Sequence, residues 1–112
     1  MKNVINTKRA AYVLLFIFVF PITMFAQITD MAGLIKRADA GDADAQYQVG
    51  RCYISGNGME QDYANAFKYA QLSANQNYAQ GENLLGLCYE FGKGVAQNDS
   101  AALECYSKAA DQ

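Results

Sequence analysis

The sequence predicts an all-α fold, a short α/α solenoid of two 36-residue helical-hairpin repeats preceded by a half-repeat cap. Three observations carry that expectation. Shifting the 112-residue chain by 36 positions lays residues 41–76 on 77–112 with ten identities, among them Gly50/Gly86, Cys52/Cys88, Tyr53/Tyr89, Gly56/Gly92, Gly58/Gly94 and Gln61/Gln97. Self-similarity at a period between about 20 and 50 residues marks a repeat architecture. Apolar and small residues within each unit recur at i, i+4, i+7 and i+8, which is one face of a helix and not the alternation of a strand. A Gly-x-Gly turn in the same place in both units divides two such runs.

Residues 1–26 stand apart from the repeats. Lys2, Lys8 and Arg9 precede the unbroken apolar run Ala10 to Phe20, followed by Pro21 and then Phe25-Ala26-Gln27. Basic, apolar, then a small residue is the order of a signal peptide, cleaved here after Ala26. An uncleaved anchor is the alternative, since Met24 is large for its place before the cleavage point. A spanning helix needs about 20 apolar residues, so no stable membrane span is expected once the leader is gone. The body is expected in a periplasmic or extracellular space. No cysteine ends the apolar run to carry a lipid.

Without the leader, six basic residues face eleven acidic ones, a net charge of −5. Nucleic-acid affinity comes largely from neutralising phosphates, so nucleic acid is not an expected partner. The chain has no histidine, which removes Ser-His-Asp and Cys-His pairs and histidine general bases. No catalytic residue, cofactor or metal site is expected: three cysteines without a CxxC pair do not make a zinc set.

The elements follow in order. Residues 27–40 form the half-repeat cap, with Met31 in register with Phe67 and Ala38 with Ala74. In repeat 1 (41–76) and repeat 2 (77–112), the first helix turns Ala45, Val49, Cys52 and Tyr53, and Leu85, Cys88 and Tyr89, to the core. Gly50 and Gly86 lower helix propensity by about 0.5–1 kcal/mol relative to alanine, so both predict a close neighbour. The turns at Gly56-Asn57-Gly58 and Gly92-Lys93-Gly94 offer a glycine for a left-handed helix end. Asp62 and Asp99 are read as N-caps of the second helices. Those helices point Ala66, Phe67, Ala70 and Ala74, and Ala102, Leu103, Tyr106 and Ala110, inward.

The two units resemble the Sel-1-like repeat family, a branch of the tetratricopeptide-like solenoids. The resemblance rests on Ala45, Val49, Gly50, Tyr53, Gly56, Gly58, Asp62, Ala66 and Ala74 in the first unit, and on Leu85, Gly86, Tyr89, Gly92, Gly94, Val95, Ala102, Tyr106, Lys108 and Ala109 in the second. Gly81 departs from the family's first alanine, and Tyr69 and Cys105 stand where the family often has tryptophan. The family implies a scaffold or adaptor for other proteins, often exported. A cysteine-rich branch of it implies an alternative, a weak β-lactamase-like or cell-wall-compound-binding protein. Cysteines that form that branch's disulfides are replaced here by Ala74, Ala79 and Ala110.

Partner binding is expected on a concave face lined by the first helices, where the resemblance places peptide binding in relatives. On a wheel centred on Ala45, Val49 and Tyr53, the positions pointing away are Tyr47, Arg51 and Ile54, with Asp44 at the margin. The matching positions in the second unit are Asn83, Leu87 and Glu90, with Phe91 beside them. The alternative is that these residues pack against neighbouring helices. The expected partner is a protein or peptide, and the flank of the last helix leaves room for self-association. Any disulfide is expected between Cys88 and Cys105, at similar heights across the second turn. Cys52 and Cys88, in successive units about 10 Å apart, are too distant. The alternative for all three is the role of small buried hydrophobes.

Overall fold

The computed structural model describes residues 30–112; the segment read as a signal peptide and its expected cleavage point lie outside the described residues. Five helices follow one another: α1 (30–39), α2 (Ala43–Ser55), α3 (Tyr63–Ala74), α4 (Ala79–Phe91) and α5 (Asp99–Ala110), with no strand among the described residues. Helices α2 and α3 pair as one hairpin and α4 and α5 as the next, while α4 packs on both α3 and α2.

Local chemistry sets the ends. The Asp42 carboxylate accepts the Ala45 N–H at 3.0 Å and opens α2. Asp62 does the same for α3 through the Asn65 N–H. The cap of α5 is Asn98, whose side chain accepts from the Ala101 N–H. Asp99, expected as that cap, is instead the first helical residue; Asn98 is the one in register with Asp62, and an amide oxygen accepts the orphan N–H as a carboxylate does. Gly56 and Gly92 close α2 and α4 in the left-handed conformation, at φ 73° and 63°. The repeated glutamines then fasten both turns. Gln61 donates to the Ile54 carbonyl at 2.6 Å, and Gln97 to the Glu90 carbonyl at 2.8 Å.

Two apolar clusters make the core. Ala38, Ala45, Val49 and Tyr69 join α1, α2 and α3, with Leu34, Ile35 and Tyr53 packed around them. Ala70, Leu84 and Cys88 join the two hairpins, with Phe67, Leu85 and Val95 around them. The mid-helix glycines are sites of close approach: a Cβ on Gly50 would come within 2.9 Å of the Leu84 side chain, and one on Gly86 within 2.7 Å of the Tyr106 ring. Gly81 is explained the same way, because a Cβ there would run into the Ser73 side chain and lie 2.9 Å from the Ala74 nitrogen.

Two inward assignments in the last helix are corrected. Leu103 is 67% exposed and Ala110 is exposed, while Ala109 takes the buried place. Phe67, the counterpart of Leu103, is covered edge-on by Tyr89 of the following unit at 5.6 Å. Among the described residues no unit follows α5.

Candidate partner-binding face

The face expected to bind a partner is built on α2 and α4. Arg51 is exposed, its guanidinium 5.6 Å from the centre of the Tyr47 ring one turn earlier, with Nη1 donating to the Tyr47 hydroxyl at 3.4 Å. Stacking on an aromatic face is a geometry suited to arginine's planar, weakly hydrated cation. Tyr47 also tilts against Tyr78, ring centres 6.1 Å apart. The Tyr78 hydroxyl donates to Asp44 at 2.7 Å, and Gln48 donates to the other Asp44 oxygen. That bond to a carboxylate, and then burial, raises the Tyr78 pKa above the usual phenol range. On α4, Leu87 and Phe91 lie one turn apart, 41% and 61% exposed, and Asn83 is exposed one turn before Leu87.

Of the residues expected to point away from the core, Arg51, Asn83, Leu87 and Phe91 do so. Tyr47 and Ile54 do not: both pack against the cluster of Ala70, Leu84 and Cys88. Helix α4 lies against α2 on that side, which a wheel drawn for a single helix cannot include. Asp44 is half-buried between Gln48 and Tyr78. Glu90 is half-buried and accepts the Tyr106 hydroxyl at 2.6 Å. Burial first, and that carboxylate second, push the Tyr106 pKa up to about 12.

The sequence reading missed three contributors. Tyr78 ties the second unit to the first through Asp44 and Tyr47; an aromatic where the other unit has Asp42 was the available signal. Leu84 is buried although it lies one position off the expected stripe. Lys93, inside the second turn, sits 4.3 Å from the centre of the Tyr63 ring on α3.

All three cysteines are free thiols. Cys88 and Cys105, the pair expected to bridge, lie near enough for a charge on Cys105 to raise the Cys88 pKa. Burial is the larger cause and takes Cys88 to about 11; burial also raises Cys52 and Cys105. Thiols so placed are mostly protonated and weakly nucleophilic near neutral pH. No group of three or more histidine, cysteine or acidic residues is placed to hold a metal ion among the described residues, and no helix among them is long and apolar enough to cross a membrane.

The sequence profile of the Sel1 repeat matches residues 43–78 and again 79–112. The chain belongs to the Sel1 repeat family. Sel1 repeats are generally protein–protein interaction modules. The chain is 32% identical to a Sel1 repeat protein from Oxalobacter formigenes of known crystal structure, with a TM-score of 0.71 over 73% of this chain and 63% of that one. It also resembles c5321, a protective antigen present in uropathogenic Escherichia coli strains with an SLR fold, at 36% identity and a TM-score of 0.68 over 71% of this chain and 17% of the other. Among curated proteins it is 35% identical over 77 residues to DAP3-binding cell death enhancer 1 of Rattus norvegicus, and 34% identical to the Mus musculus protein of the same name. Those residues are 69% of this chain and 15% of the rodent proteins' length.

Proposed function

We propose that this chain is an exported, non-catalytic adaptor that holds a protein partner on the face formed by α2 and α4. One observation carries the reading: Leu87 and Phe91 hold apolar side chains in solvent on successive turns of α4, while the neighbouring helix α2 presents Arg51 already fixed over Tyr47. Adjacent exposed apolar side chains mark interaction surfaces, arginine is enriched among interface hot spots, and an arginine ordered in advance loses less entropy on binding. The rat relative, by its name, binds a protein, which agrees with this use of the repeat. Export rests on the order of residues 1–26, and the concave shape of the face on the family resemblance.

The test is a binding and melting comparison. The mature chain, immobilised, captures a partner from the source envelope that the Leu87→Ala/Phe91→Ala variant does not, while the two melt alike. Both side chains are exposed, so truncating them should leave folding nearly unchanged. Equal capture by the variant would remove this face from the function. Retention of the leader on the chain isolated from whole cells, with all of it inside the cytoplasm, would remove export.

A further inference from the structure

The two hairpins differ at one position in a way that opens a site. In the first, Tyr69 is 6% exposed, stacked on Tyr53 with ring centres 5.9 Å apart, and its hydroxyl donates to Asp39 at 2.7 Å. It packs among Ala38, Val49 and Ala45. Thirty-six residues on, the side chain is Cys105. At that place the structure has a recess of about 250 Å³, and its lining includes Ala74, Asn75, Leu85, Cys105 and Lys108. Ala74, Asn75 and Leu85 are the repeat counterparts of Ala38, Asp39 and Val49. The recess is thus the place that the Tyr69 ring fills in the first unit, with a thiol where the ring would begin.

We infer that the recess beside Cys105 binds one aromatic side chain, tyrosine foremost, presented by a partner polypeptide. This goes beyond the use of the α2/α4 face and does not depend on it. The walls made by Ala74 and Leu85 are apolar, as a ring requires, while Asn77 and the buried Glu82, whose carboxylate accepts from the Gln112 amide, add polar groups that suit a ring bearing a hydroxyl. Asn75 stands where Asp39 receives the Tyr69 hydroxyl, and its amide both donates and accepts, so it pairs with a phenol or an indole N–H. Lys108 also lines the recess, its ammonium paired with Glu104 at 3.3 Å. The space, about 250 Å³, is below the roughly 300 Å³ at which sites for drug-sized ligands begin, so it holds one ring and little more. A single ring there needs further contacts from the chain that carries it.

Two measurements test this on the full 112-residue chain. In the first, p-cresol, the tyrosine side chain alone, is titrated while amide and methyl NMR signals are followed. Saturable shifts are expected at Ala74, Asn75, Leu85 and Cys105, and an acetylated Ala-Tyr-Ala amide is expected to produce the same shifts at lower concentration. In the second, Cys105→Tyr fills the recess from within; it is expected to abolish the p-cresol shifts and raise Tm by about 4 °C or more, as cavity filling does in domains of this size. Cys105→Leu, a smaller change, keeps the test alive if the tyrosine variant does not fold, and is expected to weaken p-cresol binding severalfold. Absence of saturable shifts, or shifts that persist in the filled variant, overturns the site. Binding of p-cresol with no tighter binding of the tripeptide overturns the polypeptide as the source.

Discussion

The two hairpins share turns, mid-helix glycines and a glutamine staple, yet their tyrosines face different neighbours. In the first, Tyr69 reaches out of its own hairpin to Asp39 at the end of α1. In the second, the tyrosine is Tyr106, one residue further along by repeat register, and it reaches Glu90 and covers Gly86 within its own hairpin. One residue is about 100° around a helix, so the same side chain moved by one position fastens a unit to its predecessor or closes the unit on itself. The difference teaches that stacking strength in this solenoid depends on where along the second helix the aromatic falls. Its by-product is the recess at Cys105.

The largest expected effect comes from removing the tyrosine that joins units. Tyr69→Ala loses a buried ring, a stack and a hydrogen bond at once, at about 3–5 kcal/mol, whereas Tyr106→Ala, half-buried, costs about half as much. Urea unfolding of both variants measures this; equal losses would show that the two tyrosines are equivalent and break the comparison. Next comes the loop that seats the second unit on the first. A Cβ on Gly94 would collide with the Tyr63 carbonyl, while one on Gly92 meets its nearest atoms at 3.6 Å, and both residues have positive φ. Gly92→Ala should therefore cost about 1 kcal/mol for conformation alone, and Gly94→Ala about 2–4 kcal/mol because the units must shift apart.

Smaller still are the caps. Asp62→Ala and Asn98→Ala each remove one N-cap at about 1 kcal/mol, with Asp62 the more costly because it also receives the Asn65 amide at 2.9 Å. The smallest effect near neutral pH, and one that appears only in alkali, is the titration of the two tyrosines. Burial, followed by Asp39 and Glu90 respectively, pushes the Tyr69 and Tyr106 pKa values up to about 12. An unfolded tyrosine ionises near 10, so this contribution is complete below pH 10 and is lost as the pH rises from 10 through 12. Tyr106→Phe should flatten the fall in melting temperature across that window. An unchanged slope would mean that the second hairpin contributes nothing to it.

The sequence alone determined the period, the helices and the turns, because these rest on local requirements. A 3.6-residue apolar recurrence, a side-chain oxygen before a helix and a glycine at positive φ are settled within a few residues of themselves. Gly50 and Gly86 were also legible, since a glycine costs a helix too much to be kept at its middle in both units without a neighbour that needs the room. Only the tertiary structure decided which outer positions stayed outside. Tyr47 and Ile54 are covered because α4 comes to rest on α2, and Leu84 is buried by the same contact. Leu103 is exposed while its counterpart Phe67 is covered by Tyr89 of the next unit, a contact between units that a single helix does not reveal. The recess at Cys105 likewise follows from the packing of three helices around a side chain too short to fill the space between them. A helix wheel holds one helix, and burial here is settled by the second and third.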